Sequence, residues 1–317
     1  MEVNSPYGES YRLPGGFSPG LIGVVTVTYN SGFVLPDFIA SIESQSHSNF
    51  ILYVVDNNSS DDTLAQLQGW KDSRLIIIAN ATNVGVAAGN NQGIRAGIEA
   101  GCEHILLLNN DVVFGAELFA NLLRGLAEHR CDMAVPLIYY HDRPDIIWCA
   151  GGYFQPKLGY RALHYGEGQR DAGQFGTARG VSYAPTCCVL IHRAVFGGIG
   201  VMDERYFVYC DDVDFMLRAM KAGKKLYYLP GAKLWHKVNS LTGAESPFSM
   251  RYGARNRALF IAKHLGRLSR STFNLLYPIY YLLRFIFAKD TRDAFRIKQA
   301  AWIEGKHLQR QQSFSRD

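Results

Sequence analysis

Asn109 and Asp111 are candidates for binding a metal ion, because of their residue types and their position in the sequence. They follow an apolar run at residues 104–108. A carboxylate at the end of a buried strand can hold a hard cation such as Mg²⁺ or Mn²⁺ together with substrate phosphates. The alternative is a simple turn, because Asn and Asp often end strands by bonding their own backbone. Asp56 ends another apolar run, and two such strand ends favour a nucleotide site.

A second acidic cluster is the run Asp211-Asp212-Val213-Asp214. Its structural alternative is ordinary helix chemistry, since acidic residues in a first turn interact favourably with the helix dipole. Neighbouring carboxylates nevertheless repel one another unless a cation or a proton-transfer role uses them. A general base needs a rigid position beside the reacting carbon, and the start of a helix provides one. The run is therefore the candidate for acid–base chemistry.

A histidine and three arginines complete the set of candidates. His236 follows an apolar run, where it is either a partly buried structural residue or a further metal ligand. Arg251, Arg255 and Arg257 form either a solvated helix face or a site that neutralises a departing diphosphate, which guanidinium groups bind in a forked geometry.

The elements that must position these residues alternate between strands and helices. Strand-like and helix-like runs follow one another four times between residues 21 and 129. Continuous apolar strands between helices predict a parallel sheet covered on both faces, which binds ligands at the carboxyl ends of its strands. The polar residues expected at that edge are Asn30, Asp56, Asn83, Asn109 and Asp111.

The remainder of the chain has a different character. Residues 134–191 lose the alternation and indicate a mixed or antiparallel region, and the sequence beyond residue 251 is helical, basic and aromatic. We therefore expect a leader at 1–20, a catalytic domain at 21–250 and a helical tail at 251–317. Within the catalytic domain, 21–133 is the expected nucleotide-binding half and 134–250 the expected acceptor and catalytic half.

Composition and charge exclude several classes of protein. The 317 residues are 48% hydrophobic and 19% charged, which permits a sizeable core and excludes general disorder. The tail carries 14 Lys and Arg against 4 Asp and Glu, whereas the first 250 residues carry a net charge of −5. This distribution argues against a nucleic-acid partner and favours contact of the tail with an anionic membrane surface, with homodimerisation as the alternative. No run reaches the roughly 18 apolar residues that a membrane span requires, and no signal peptide is expected.

The usual nucleotide-binding and hydrolase motifs are absent or misplaced. No G-x-G-x-x-G follows the first strand and no P-loop occurs. The G-x-S-x-G match at residues 16–20 precedes the first strand, whereas a nucleophile elbow must follow a strand. The six cysteines form no C-x-x-C pair, so we expect free thiols.

Several ordered blocks resemble family 2 glycosyltransferases, most closely their rhamnosyltransferase-like branch. The blocks are VTVTYNS (25–31), VVDNNSSDDT (54–63), NVGVAAGNNQGI (83–94), LLLNNDV (106–112), MDERYFVYCDDVDFMLR (202–218), the pair Trp235-His236, and Tyr252 with Arg255-Asn256. The resemblance implies an α/β fold of the GT-A type, a Rossmann-like nucleotide-diphospho-sugar transferase with a mostly parallel central sheet and a C-terminal helical extension. It also implies a nucleotide-sugar donor, a divalent cation (Mg²⁺ or Mn²⁺) and inversion at the anomeric carbon.

The same resemblance implies a role for each matching position. Asp212 would be the catalytic base, with Asp211 standing where the family usually has Glu, so the choice between the two stays open. Asp111 would bind the metal, with Asn109 in place of the first aspartate of the family's Asp-x-Asp, and His236 would complete the metal or diphosphate contacts. The donor would be bound by Thr28, Asn30, Asp56, Asn83, Asn90, Asn109 and Arg255.

The implied activity is transfer of a sugar to a hydroxyl of a glycan or lipid-linked glycan in cell-surface polysaccharide synthesis. dTDP-rhamnose is the first expected donor and a UDP-hexose the next. The location expected is the cytoplasm, with peripheral attachment to the cytoplasmic face of the membrane. The alternatives are a sugar-nucleotide pyrophosphorylase, which lacks support because residues 28–33 contain no Gly-rich basic loop, and a non-catalytic nucleotide- or glycan-binding module.

Overall fold

The computed structural model describes residues 18–238 and 246–311. Most of the expected leader, residues 239–245 of the expected acceptor half and residues 312–317 of the expected tail lie outside the described residues. The strands are β1 (Ser18–Thr28), β2 (Phe50–Asp56), β3 (Leu75–Ala79), β4 (Cys102–Leu108), β5 (Val112–Phe114), β6 (Met133–Tyr140), β7 (Ile147–Cys149), β8 (Gly152–Gln155), β9 (Arg161–His164), β10 (Arg179–Val181), β11 (Cys188–His192) and β12 (Leu226–His236). The helices are α1 (Leu35–Glu43), α2 (Thr63–Gly69), α3 (Val86–Glu99), α4 (Leu118–His129), α5 (Ala194–Ile199), α6 (Asp211–Lys221), α7 (Pro247–His264), α8 (Arg267–Ile286) and α9 (Arg292–Gln311).

One large sheet organises the chain, in the strand order β10-β12-β6-β11-β4-β1-β2-β3. The first four strands are parallel, as the alternation of strands and helices predicts, and the β1–β2 register sets Thr28 opposite Asp56. β1 begins at Ser18, earlier than the expected boundary after residue 20.

The second half of the chain extends this sheet with mixed pairing. β11 runs antiparallel between β4 and β6, and β12 runs parallel to β6. The apolar run and the Trp235-His236 pair belong to the single strand β12, which has a register shift between Leu229 and Lys233, around Pro230. β5 pairs antiparallel with the end of β12, which brings the two halves of the chain together at one edge.

Helices cover both faces of the sheet because buried side chains alternate along its strands. On β1, Val25 belongs to the core under α3 and α6, whereas Val24 belongs to the opposite core under α1 and α4. α3 packs closely on β1 through Gly93, where an added Cβ would lie 2.3 Å from Val25 Cγ1. A larger residue at this position would separate the helix from the strand.

The C-terminal helices form a small core of their own around Tyr281 and Trp302, as the expectation of a helical extension requires. α7 begins at Pro247, where Ser246 Oγ accepts a hydrogen bond from Ser249 N, so this helix crosses the expected boundary at residue 250. α8 leaves a row of apolar side chains exposed, among them Leu275, Ile279 and Leu283. Within residues 18–238 and 246–311, none of the helices combines the length and hydropathy of a membrane span.

Candidate active site

A cavity of about 340 Å³ lies at the carboxyl ends of β1 and β4. Its lining includes Val27 at the end of β1 and Leu108 at the end of β4, the position expected for ligand binding in such sheets. Six residues singled out in the sequence line it together: Asn90, Asn109, Asp111, Asp211, Asp212 and His236.

Asp111 and His236 meet because β5 pairs with β12. Val112 is opposite His236 in this antiparallel register, and Lys237 N donates a 2.8 Å hydrogen bond to the carbonyl oxygen of Asp111. His236 Nε2 consequently lies 3.2 Å from Asp111 Oδ1. The exposed fractions of the two residues are 8% and 6%, so the pair is buried at the base of the cavity.

The chemistry of this pair fits a divalent cation. The buried Nδ1 atom of His236 has no hydrogen-bond partner among the described residues, although buried polar atoms are normally paired. A carboxylate and an imidazole together suit Mn²⁺, and oxygen ligands alone suit Mg²⁺. Asn109 is exposed beside them and offers only a neutral amide oxygen, which leaves most coordination positions to a substrate or water.

Asp211 and Asp212 are placed by an unusual backbone segment. Tyr209 and Cys210, immediately before α6, both have left-handed φ values, 63° and 62°. Consecutive non-glycine residues in this region are strained and persist only where surrounding contacts hold them. Asn256 of α7, which is 0% exposed, supplies such contacts by donating from Nδ2 to Val208 O at 2.6 Å and to Tyr209 O at 2.9 Å.

The two carboxylates differ in their partners. Tyr183 Oη donates a 2.6 Å hydrogen bond to Asp212 Oδ2, and Val213 N donates to Asp212 Oδ1 at 2.7 Å. Burial raises the pKa of Asp212, while the Tyr183 hydrogen bond opposes this rise. Burial also raises the pKa of Asp211, and the neighbouring charge of Asp212 raises it further. The pair therefore retains a proton in conditions where ordinary carboxyl groups have lost theirs.

The third acid of the run, Asp214, has a structural role. It is fully buried and contacts Arg218 Nε at 2.8 Å, Lys263 Nζ at 2.8 Å and His264 Nε2 at 2.6 Å. Burial alone would raise its pKa, but Arg218, Lys263 and His264 together hold that pKa well below its usual range. Asp214 thus joins α6 to α7 and does not line the cavity.

Thr28, Asn30 and Asp56 form a hydrogen-bonded network beside the cavity and do not line it. Thr28 Oγ1 donates to Asp56 Oδ1 at 2.9 Å, and Asn30 Oδ1 accepts from Ser60 N at 2.8 Å. Ser59 donates to Asp56 from its hydroxyl at 2.6 Å and from its backbone N at 3.0 Å. These contacts fix the loop after β2 against the end of β1.

The two remaining positions assigned to the donor also lie outside the cavity. Asn83 Oδ1 accepts from Gly85 N at 2.9 Å and shapes the turn before α3. Gly85 has φ 88°, and an added Cβ would lie 2.5 Å from Phe207 O, so this turn requires glycine. Arg255 donates to Arg205 O at 2.9 Å and to Glu304 Oε1 at 3.0 Å, and it thereby holds the segment that leads to Asp211.

Comparison with known proteins decides the family. The chain matches the model described as "Glycosyl transferase family 2" over residues 23–200. The protein belongs to glycosyl transferase family 2. Its six cysteines are free thiols, as expected, and four of them are buried.

Relatives of this glycosyltransferase include rhamnosyltransferases. It is 27% identical over 270 residues to the N-acetylglucosaminyl-diphospho-decaprenol L-rhamnosyltransferase of Mycobacterium tuberculosis, covering 78% of this chain and 86% of the relative. It is 25% identical over 260 residues to the dTDP-rhamnosyl transferase RfbF of Shigella flexneri, covering 77% and 80%. The expected resemblance to the rhamnosyltransferase-like branch of the family is confirmed.

Solved structures share the fold of this glycosyltransferase. The mannosyltransferase PcManGT of Pyrobaculum calidifontis, in complex with GDP-Man and Mn²⁺, aligns with a TM-score of 0.53 and 15% identity over 96% of this chain and 89% of that one. GalNAc-T7 with UDP, GalNAc and Mn²⁺ aligns with a TM-score of 0.56 and 14% identity. The alignment covers 77% of this chain and about half, 51%, of the GalNAc-T7 chain. The expected GT-A fold with a C-terminal helical region is confirmed.

Sequence reasoning missed three residues of the glycosyltransferase site. Tyr183 contacts Asp212, and the rings of Trp148 and His236 pack in a T-shaped arrangement with centroids 4.7 Å apart. Asn110 donates to Val27 O at 3.0 Å and to Ser31 Oγ at 3.1 Å. Asn110 lies inside the block LLLNNDV (106–112), so its sequence position does indicate a place in the site. Tyr183 and Trp148 lie in the irregular region, where no spacing signals their contacts.

A further group of potential metal ligands lies away from the cavity. Glu103, His104 and His192 have ligand atoms within 4.8 Å of one another. His104 is near the start of β4 and His192 ends the antiparallel β11, so the group is at the opposite edge of the sheet from Asp111. None of the three lines the cavity.

Proposed function

We propose that this glycosyltransferase moves a sugar from a nucleoside diphosphate to an acceptor hydroxyl, with inversion at the anomeric carbon and Asp212 as the general base. The observation that carries the proposal is the single cavity lined by both the Asp211–Asp212 pair and the Asp111–His236 pair. The first pair offers a proton acceptor, and the second offers ligands for a cation beside a diphosphate.

The partners of the two acids favour Asp212 over Asp211 as the base. A hydrogen bond donated to a carboxylate stabilises its charged form, and Tyr183 donates to Asp212. Asp211 gains no corresponding side-chain donor among the described residues, and the charge of Asp212 raises its pKa. These contacts favour Asp212 as the ionised member of the pair and Asp211 as the member that keeps the proton.

The reaction then follows from the position of Asp212. The acceptor oxygen attacks the anomeric carbon while the bond from that carbon to the diphosphate oxygen breaks. The proton of the acceptor hydroxyl passes to Asp212 Oδ, whose rigid position at the start of α6 suits this transfer. Because attack and departure occur on opposite faces of the sugar, the product has inverted configuration.

Asp111 and His236 would hold Mg²⁺ or Mn²⁺, whose positive charge stabilises the negative charge that develops on a departing diphosphate. Their burial and the 3.2 Å separation of His236 Nε2 from Asp111 Oδ1 support this assignment. Arg255, by contrast, is bonded to Glu304 and Arg205. We therefore propose that Arg255 serves the donor indirectly, by holding the segment before Asp211.

The relatives guide the choice of donor and acceptor. Since two of them are named as rhamnosyltransferases, we take dTDP-rhamnose as the first donor and a UDP-hexose as the next. The acceptor we propose is a glycan or lipid-linked glycan of a cell-surface polysaccharide. The network of Thr28, Asn30 and Asp56 adjoins the cavity and is proposed to border the base of the bound nucleotide, with Asn83 and Asn90 on its other side.

We propose that α8 contacts an anionic bilayer on the cytoplasmic face of the membrane. Its exposed apolar residues include Leu268, Leu275 and Ile286, with exposed fractions of 84%, 65% and 61%. Basic residues lie at both ends of α8, with Arg267 and Arg270 at its start and Arg284 and Lys289 at its end. An amphipathic helix of this composition suits a membrane interface, and dimerisation through the same face is the alternative.

A donor screen tests the proposed function. Wild-type protein is assayed for hydrolysis and transfer of dTDP-rhamnose and UDP-hexoses with Mn²⁺, with Mg²⁺ and with EDTA. Turnover that needs a divalent cation and falls about 100-fold or more in Asp212→Asn supports the proposal. Asp293→Asn, an exposed acid on α9, is the matched control. Donor binding without turnover in the wild type would instead indicate a binding module.

A further inference from the structure

A second cavity, of about 640 Å³, separates α8 from the catalytic domain. We call it the α8 groove and define it by Arg161, Gly253, Arg257, Leu276, Tyr277 and Tyr280. One wall is apolar and aromatic and belongs to α8, while the other is formed by β9, α7 and the start of α6.

The α8 groove reaches Tyr183, the hydrogen-bond partner of the proposed base. Tyr183 lines the groove, and its hydroxyl donates to Asp212, which lines the donor cavity. Along the chain the lining alternates in the same way, because Cys210 and Val213 line the groove while Asp211 and Asp212 line the donor cavity. The two cavities therefore lie on either side of the first turn of α6, with the proposed base between them.

The charges of the groove suit an anion. Arg161 is exposed, and its guanidinium group has no hydrogen-bond or ion-pair partner among the described residues. Arg257 donates to Leu158 O at 2.7 Å, Gly159 O at 2.9 Å and Tyr277 Oη at 2.9 Å, all of which are neutral groups. No acidic side chain is among the described residues that line the groove. Two guanidinium groups without a carboxylate partner are a favourable site for a phosphate group.

The opposite wall suits an apolar chain. Leu276 and Tyr280 of the groove are about half exposed, and they continue into Ile279 and Leu283 at helical spacing along α8. An apolar chain that leaves the groove therefore meets a continuous apolar surface. This continuity gives the groove one polar, cationic end and one extended apolar end.

We propose that the α8 groove binds the acceptor, and that this acceptor is a lipid-linked sugar phosphate. Its sugar hydroxyl reaches Asp212 beside Tyr183, its phosphate group lies between Arg161 and Arg257, and its lipid chain follows α8. This assignment rests on the proposed glycosyl transfer and adds to it the chemical class of the acceptor and its binding site.

Gly253 offers a direct way to block the groove. An added Cβ at this position would have no atom within 4 Å, so a side chain there extends into open space in the groove. Gly253→Phe fills the groove, and Gly253→Ala is the matched control that adds only a methyl group. Arg161→Gln removes a charge that supports no other side-chain contact, and Arg124→Gln is its matched control, an exposed arginine on α4 that lines neither cavity.

The test is binding of farnesyl diphosphate, measured by calorimetry with EDTA present to suppress cation-dependent binding in the donor cavity. We expect Gly253→Phe and Arg161→Gln each to weaken binding about tenfold, the effect of losing one charge-assisted hydrogen bond or comparable packing. Gly253→Ala and Arg124→Gln should bind as the wild type does. Farnesol has only the apolar chain of the ligand, and inorganic diphosphate has only its anionic group. Both should bind more weakly than farnesyl diphosphate. Thermal unfolding verifies that each variant folds.

Three results would overturn the inference. They are wild-type affinity in both groove variants, equal losses in Arg124→Gln and Arg161→Gln, and inorganic diphosphate binding as tightly as farnesyl diphosphate. Failure of the proposed function is separate. In that case the wild-type protein would neither hydrolyse nor transfer the donor sugar. Its groove would still bind farnesyl diphosphate, and the groove variants would still bind it more weakly.

Discussion

Tyr183 Oη lies 2.6 Å from Asp212 Oδ2, so the proposed base receives a hydrogen bond from a residue that also lines the α8 groove. This bond favours the ionised carboxylate against the effect of burial. A change at Tyr183 should therefore alter the protonation of Asp212 without touching the donor cavity.

We expect Tyr183→Phe to move the acidic limb of the pH–rate profile upward by about one to two pH units. A hydrogen bond to a charged group contributes about 1.5–3 kcal/mol, and one pKa unit corresponds to about 1.4 kcal/mol. Because the lost donor favoured the ionised form, the pKa of Asp212 rises and activity at low pH falls. The measurement is kcat against pH with saturating donor. A uniform decrease at every pH would show that Tyr183 acts only in packing.

Asp111→Ala should remove cation-dependent donor binding. Without this carboxylate, only His236 of the Asp111–His236 pair remains to bind the cation. The diphosphate then loses the positive charge that would neutralise it. Titration calorimetry of a nucleoside diphosphate with Mn²⁺ measures the effect, with His236→Ala as a parallel variant. Glu103→Ala, which alters the distant ligand group, serves as the control. Donor affinity that is unchanged in Asp111→Ala and still sensitive to EDTA would place the metal elsewhere.

Asp214→Asn should reduce stability much more than Asp212→Asn does. It would leave Arg218 buried without its carboxylate partner, whereas Lys263 keeps its ion pair with Asp203. Breaking a buried ion pair costs about 3–5 kcal/mol. Chemical denaturation gives the free energy of unfolding of both variants. Similar small losses in the two would contradict a structural role for Asp214.

Asp211→Asn should become more stable relative to the wild type as pH rises. Since burial and the charge of Asp212 raise the pKa of Asp211, the folded state binds more protons than the unfolded state between the usual and the raised value. Wild-type stability therefore falls with increasing pH across this range, and Asn removes that loss. We expect a relative gain of at least about 1.4 kcal/mol between about pH 5 and about pH 9. Denaturation with EDTA present at both pH values measures it, and a gain confined to acidic pH would contradict it.

The apolar face of α8 predicts sedimentation with anionic vesicles. We expect the protein to pellet with phosphatidylglycerol vesicles and to remain in solution with phosphatidylcholine alone, because basic residues flank the helix. Replacing Leu268, Leu275 and Ile286 with Gln should weaken the association by removing apolar area. Concentration-dependent sedimentation of the free protein, lost in the same variant, would instead support dimerisation.

The sequence predicts the strand ends well and the long-range contacts poorly. Asp56 and Asp111 follow strands whose apolar runs are visible, so their edge of the sheet is predictable from the βα alternation. His236 reaches Asp111 only through the short antiparallel β5–β12 pairing, which depends on elements far apart in the chain. The resemblance assigned His236 to this place, but the spacing of residues alone did not.

Arg255 illustrates a different limit. Its position among basic residues indicates a phosphate contact, whereas its guanidinium group bonds Arg205 and Glu304. The charge of a residue is readable from sequence, but the partner that satisfies it depends on how α7 packs against α9. Tyr183 is the opposite case, because nothing in its neighbourhood in the sequence marks the contact with Asp212.

The bond from Asn256 to the left-handed backbone at Tyr209 makes α7 inseparable from the catalytic half. Trimming the chain at residue 250, where composition alone would divide it, removes the donor that holds the bend before Asp211. A shortened enzyme would then keep its donor-side strands and lose the alignment of its acids. An exchange of α8 between relatives should accordingly keep both α7 and α9, because Glu304 of α9 binds Arg255 of α7.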